Sequence, residues 1–216
     1  RLAASNPEAM REMKRIFWAG TEHWGDAMDE RAAMSGRMVL SEFTRKAIAK
    51  FKAEDLVGLR IFTTGLGSTG GDEVSYRDLS PIAPVGENRE RLRNEVGSLT
   101  PLNGTPLYEV VGVSHSQMVE QYEPALINAV VILTDGVNDD GDPEDDKSQF
   151  NALIEQISRT SNGENATPVR VFTIAYGVDA DVGALQQISE ASNATAYSAS
   201  DATTIGEVFT AVVSNF

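Results

Sequence analysis

The stretch Val130-Val-Ile-Leu-Thr-Asp-Gly136 constrains the fold more than any other part of the chain. Four aliphatic residues in a row suit a strand buried on both faces. Strands of that kind belong to parallel sheets covered by helices on each side. The run ends abruptly in a carboxylate, Asp135, and a glycine. In an open α/β sheet, ligands bind beyond the carboxyl ends of the strands, so an acid at that point is positioned for work.

The residues that follow repeat the theme. Val169–Ala175 is a second continuous apolar strand, Val182–Ala191 reads as a helix, Ala194–Ser198 as a short strand, and Asp201 opens a last helix. A helix over Asp146–Arg159 separates the two long strands. Strand–helix–strand units of this size imply a parallel sheet with right-handed crossovers. Upstream, Leu56–Phe62 is β-like, with Val57, Leu59 and Ile61 alternating, and Asn88–Leu99 and Leu107–Gln121 read as helices. Gly65–Gly71 is a flexible glycine-rich loop, and Asn103-Gly104 signals a turn. The expectation is an α/β, Rossmann-like, mainly parallel sheet flanked by helices, preceded by an N-terminal helical segment.

That preceding segment differs in composition. Residues 1–54 carry 10 basic and 8 acidic side chains, whereas residues 55–216 carry 8 and 24. Both tryptophans and five of the six methionines lie before residue 55, but only 3 of the 18 glycines do. Several measures change together, which sets an expected boundary between a helical unit, 1–54, and an α/β unit, 55–216. Asn6-Pro7-Glu8 is a helix start, and Leu40, Phe43, Ala47 and Phe51 form a helical apolar stripe.

Bulk properties exclude several classes. A net charge of −14 disfavours general nucleic-acid binding, because phosphates repel an acidic surface. There is no cysteine, so disulfides and thiolate metal sites are excluded. No apolar run approaches membrane-spanning length, so no transmembrane segment is expected, and no signal peptide is legible. His23 and His115 are the only histidines, and neither has a serine and an acid at nucleophile spacing, which argues against a catalytic triad. The glycine-rich loop lacks the lysine of a phosphate-binding loop. The acidic run Asp139–Asp146 fails the EF-hand pattern, since its first and twelfth positions would be Gly136 and Lys147. It reads as a solvated loop leading to a helix N-terminus, where acids are favourable, and one that could still bind calcium loosely at the surface. Asn103, Asn165 and Asn193 each open a formal glycosylation sequon.

The order of elements from 55 to 216, together with Asn103-Gly-Thr-Pro-Leu107 and Leu133-Thr-Asp-Gly136, resembles a von Willebrand factor A domain from its second strand onward. Tyr76-Arg-Asp-Leu-Ser-Pro-Ile-Ala-Pro84 resembles bacterial A domains in particular. The resemblance implies a metal-ion-dependent adhesion site. That site takes a divalent cation on a D-x-S-x-S motif after the first strand, a threonine in a later loop and an aspartate after the fourth strand. Thr105 and Asp135 match the last two and are the implied metal ligands, with Mg2+ or Mn2+ as the cation. Hard oxygen ligands and retained waters suit such an ion, which accepts a partner's carboxylate as a further ligand. The D-x-S-x-S element has no counterpart. The nearest string, Ala33-Met-Ser-Gly-Arg-Met38, has alanine for the acid and arginine for the second serine. The family's first strand is also missing from its central place, between the strands matching 56–62 and 127–134. Lys14–Ala19 could stand in for it with Met38–Phe51 as the following helix, or the flanking strands could pair directly.

Residues 1–53, through Leu2–Met10, Lys14–Trp18, Gly20–Trp24 and Glu30–Arg37, resemble the C-terminal helical tail of an enoyl-CoA hydratase/isomerase (crotonase) protein. Such a tail carries none of that family's catalytic glutamates or oxyanion-hole backbone, so no catalytic residue transfers, and Glu22 and His23 read as surface residues. The leading functional expectation is a non-enzymatic, adhesion-type binding module with an incomplete or degenerate metal site, docking a protein partner through an acidic group. The cation would be weakly held, or absent if the site is degenerate, and a degraded site that binds protein without metal is a close variant. The alternative is a fragment or fusion of an acyl-CoA hydratase/isomerase with no complete active site. The A-domain resemblance points to an extracytoplasmic or cell-surface location and the crotonase tail to the cytoplasm, so the compartment stays open.

Overall fold

A computed structural model describes residues 51–66, 68–69, 72–73, 75–97, 104–162, 166–176, 179–199 and 211. The expectations for residues 1–50, including the helical segment, the crotonase-like strings and Lys14–Ala19 as a substitute strand, lie outside the described residues. Of the last helix expected from Asp201, only residue 211 is described, and it is helical.

Among the described residues seven strands and four helices follow in order: β1 Leu56–Phe62, β2 Ser68–Thr69, β3 Asp72–Glu73, β4 Tyr76–Pro84, α1 Val85–Gly97, α2 Leu107–Glu120, β5 Ala129–Thr134, α3 Asp146–Ser161, β6 Arg170–Tyr176, α4 Val182–Ala191 and β7 Ala196–Ala199. The parallel part matches the sequence reading. β5, β6 and β7 form a three-stranded parallel sheet with β6 in the middle. β1 pairs instead with β4, antiparallel. The glycine-rich stretch is more ordered than expected, since β2 and β3 form a short antiparallel pair within and just after it.

β6 shows why a continuous apolar run makes this strand. Val171, Phe172, Thr173, Ile174 and Ala175 are all buried, so both faces are covered. On one face Val171 and Ala175 join Ile132 of β5, Leu107 and Val111 of α2, Leu153 and Ile157 of α3, and Leu185 and Ile188 of α4. On the other, Phe172 and Ile174 pack with Ala199, Val131, Leu133 and Phe51. Each such side chain contributes roughly 1.5–3 kcal/mol when fully buried. Phe51 also packs against Val85 and Leu92, so one ring joins the parallel sheet to the β1–α1 layer.

β7 is short, and α4 with its C-cap residue Ser192 completes the hydrogen bonding of β6. The Val171 N–H donates to Ser192 Oγ at 2.8 Å and the Thr173 N–H to Ser189 Oγ at 3.2 Å. Buried backbone donors need such partners wherever a neighbouring strand does not reach.

β1 and β5 do not pair with one another. Direct pairing of 56–62 with 127–134 is therefore not how this fold closes. Among the described residues no strand lies on the second edge of either. The two elements are linked instead through α2, because Arg60 of β1 donates to Ser114 and Gln117 while its guanidinium also engages Asp78 and stacks over Tyr76.

Candidate functional site

At the carboxyl end of β5 the chain leaves the core within two residues. Thr134 is buried and its Oγ1 accepts from the Gly136 N–H at 3.3 Å. Asp135, next along, is exposed, and its carboxylate makes no hydrogen bond or ion pair among the described residues. An aspartate at a strand end with no structural partner is free for a ligand.

Thr105 is brought to the same place by backbone pairing. Its N–H donates to Asp139 O at 2.7 Å, and the Asp139 N–H donates back to Thr105 O at 2.9 Å. This two-way bridge ties the loop before α2 to the loop after β5. A Cβ at Gly136 would lie only 3.1 Å from Thr105 Oγ1, so the hydroxyl rests directly against the residue that follows Asp135. Gly104 makes the approach possible. Its φ is +87°, and a Cβ there would collide with the Thr64 side chain just past β1. Only glycine meets both demands. The two residues singled out by sequence thus share one end of the sheet.

Asn138 was not singled out and matters to the same loops. α2 starts after Pro106, which supplies no side-chain cap. The buried Asn138 provides one from across the loop, its Oδ1 accepting from the Tyr108 N–H at 3.1 Å and its Nδ2 donating to Asp146 Oδ1. The available signal is an amide three residues after the strand-ending aspartate, but its partner is remote in sequence.

The acidic loop is a second concentration of charge. Asp140, Asp145 and Asp146 bring carboxylate oxygens within 4.8 Å of one another, a group that could hold a metal ion. These acids already serve the loop. Gln149 Nε2 donates to both Asp140 and Asp145 at 2.7 Å, and the Asp142 N–H donates to Asp140. The Asp142 N–H first, then the Gln149 amide, hold the Asp140 carboxyl below the usual carboxylate range. Nearby, burial first, then the charges of Asp181 and Asp146, push the Tyr108 phenol up. This end of the sheet is therefore a region of negative potential.

The donors at Thr105 and Asp135 are hard oxygens, which suits Mg2+ or Mn2+ in kind. In number they are few. One carboxylate and one hydroxyl leave most of an octahedral shell to water and to any partner group. Ala33–Met38, the poor match to the family's serine motif, lies outside the described residues. His115 lies in the α2–α3 seam and takes no part.

The architecture was compared with known structures. It superposes on a structure described as von Willebrand factor type A from Catenulispora acidiphila with a TM-score of 0.60 at 18% identity, over 83% of this chain and 37% of that one. The chain has the von Willebrand factor A fold. Proximal thread matrix protein 1 from the mussel byssus, in a form whose adhesion-site motif is occupied by zinc, shares this A fold with a TM-score of 0.57 at 14% identity, over 83% of this chain and 42% of that one. The pilus adhesin SpaC from Lactobacillus rhamnosus GG shares it with a TM-score of 0.57 at 15% identity, over 85% and 28%. The chain spans less than half the length of each of these A-fold structures. No protein-family model and no curated protein matches the sequence. The comparisons lend no support to a crotonase relationship.

Proposed function

We propose that this chain is a non-enzymatic protein-binding module of the A-domain type. It takes a divalent cation, Mg2+ or Mn2+, at Thr105 and Asp135, and the cation accepts a carboxylate from a protein partner. The observation that carries this reading is the exposed Asp135 at the end of β5, unpaired among the described residues, with the Thr105 hydroxyl against its neighbour Gly136. Likeness in fold to a zinc-occupied adhesion-site protein and to a pilus adhesin supports it. The charge around the site supports the cation's role as well. An acidic partner group approaching Asp135, Asp139 and Asp140 without a cation would meet like charge, which costs energy at close range.

Two protein oxygens make a weak, water-rich site. The partner's carboxylate is then both the recognised group and a stabilising ligand of the ion. Calorimetric titration of Mg2+ and Mn2+ tests the reading. Asp135→Ala is expected to abolish the titratable heat and Thr105→Ala to weaken binding, while Asp140→Asn leaves it in place. Uptake that survives Asp135→Ala but is lost in Asp140→Asn would move the cation to the acidic loop and overturn the assignment.

A further inference from the structure

The seam between α2 and α3 contains a buried histidine that the site does not use. His115 is 0% exposed. Its Nε2 lies 3.3 Å from Thr160 Oγ1 of α3. That hydroxyl is within reach of Ile157 O at 3.0 Å and Gln156 O at 3.3 Å, so its single proton goes to the backbone and its lone pair faces the imidazole. Nε2 then carries the hydrogen, and Nδ1 is a bare acceptor with no partner among the described residues. Ser161 Oγ, at the end of the same helix, is also buried without a partner.

Besides the packing of Leu107 and Val111 against Leu153 and Ile157 and the Tyr108–Phe150 ring contact, hydrogen bonds hold the seam at two points. Gln156 Nε2 donates to Gly112 O at 2.9 Å and to Ser116 Oγ at 3.0 Å, and Asn138 joins the helix starts. The charged groups on the packed elements are Arg60 of β1, Glu109 and Glu120 of α2, Asp146, Lys147, Glu155 and Arg159 of α3, Arg170 of β6 and Glu190 of α4; β5 has none. Arg60 is engaged by Asp78 and Gln117, and Arg159 by Glu155. None forms a hydrogen bond or ion pair with His115. Among the described residues no carboxylate is therefore in place to compensate an imidazolium.

We propose that buried His115 is an acid-sensitive latch, holding α2 against α3 while its ring is neutral and loosening the seam as Nδ1 takes up a proton. A second N–H on the ring would face no acceptor among the described residues, and its charge would be fully buried. Burial alone already holds the imidazole below its ordinary value of 6.5. Above about 6.5, closed and open forms are both neutral, and the seam's stability is independent of pH. Below it the open form binds a proton that the closed form refuses. The opening equilibrium then rises up to about tenfold per pH unit, until the pH reaches the closed form's lower pKa. α2 begins two residues after Thr105, so the latch governs the helix that carries one side of the site. It does not depend on whether a cation binds there.

Hydrogen exchange of the α2 and α3 amides between pH 7.5 and 5.5, corrected for intrinsic rates, tests this. Carboxylates titrate mostly below this window, and the other histidine, His23, is removed as His23→Gln in every sample. Protection is expected to fall up to about tenfold per unit below pH 6.5 in the parent and to stay flat in His115→Gln. A direct ring titration by NMR keeps the test decisive if that variant folds poorly. A His115 ring that titrates at 6.5 or above, or the same acid loss of protection in His115→Gln, would overturn the proposal.

Discussion

Removing the Asn138 side chain is expected to loosen the whole site without touching its two oxygen donors. The residue is 8% exposed, and its amide makes two bonds that water does not easily replace. Its Oδ1 caps the Tyr108 N–H, and its Nδ2 donates to the Asp146 carboxylate. Losing a helix cap costs about 1 kcal/mol. Losing a hydrogen bond to a charged acceptor costs roughly 1.5–3 kcal/mol, discounted here because Asp146 is half-exposed. Asn138→Ala should therefore lower the folding free energy by about 2 kcal/mol, roughly a 30-fold change in the folding equilibrium. Urea titration reads this as a lower midpoint with an unchanged slope, because the surface exposed on unfolding is the same. Asn138→Asp keeps the acceptor for Tyr108 but sets a carboxylate against Asp146, so it should rescue little at neutral pH. A loss under about 0.5 kcal/mol in Asn138→Ala would refute the reasoning, since surface substitutions away from structural features stay within that range.

Two further outcomes follow from the fold. Ser192→Ala strips the acceptor from the buried Val171 N–H and should cost about 1–3 kcal/mol in urea titration; a variant as stable as the parent would mean that β7 reaches further than described. Gly104→Ala should cost more than Gly141→Ala in thermal melts. Both positions have positive φ, a backbone strain of about 1–3 kcal/mol, but only Gly104 also collides with Thr64, whereas Gly141 faces open space. Equal losses would remove Thr64 from the account.

The parallel half of the fold was legible because its signals are local. Val182–Ala191 reads as a helix from its spacing and is one, with Asp181 capping the Ala184 N–H at 3.0 Å. The continuous apolar runs at 127–134 and 169–175 mark two strands, Ala129–Thr134 and Arg170–Tyr176; β6 is buried on both faces as expected, whereas Val130, Val131 and Leu133 of β5 are only half-buried. β4 was harder to read as a strand. Tyr76–Pro84 contains Pro81 and Pro84 and alternates poorly, and its place outside β1 tolerates the missing donors that would exclude proline from a central strand. At the site, Thr105 and Asp135 carried turn and strand-end signals, but their juxtaposition through the Thr105–Asp139 bridge is a long-range pairing that local pattern does not encode. Asn138 escaped for the same reason, since its two partners lie 30 residues before it and 8 after it. The seam histidine was visible only as one of two histidines until α3 was placed over it.

The central claim is that Asp135 anchors a cation on an A-type fold. Thermal unfolding with and without millimolar Mg2+ or Mn2+, on the parent chain and on Asp135→Ala, tests it most directly. A cation at about 100 times its dissociation constant adds roughly 2.7 kcal/mol to the folded state. The account predicts one cooperative transition that moves up with metal in the parent and stays fixed in Asp135→Ala. A transition indifferent to metal in both, or an equal rise in both, would contradict it.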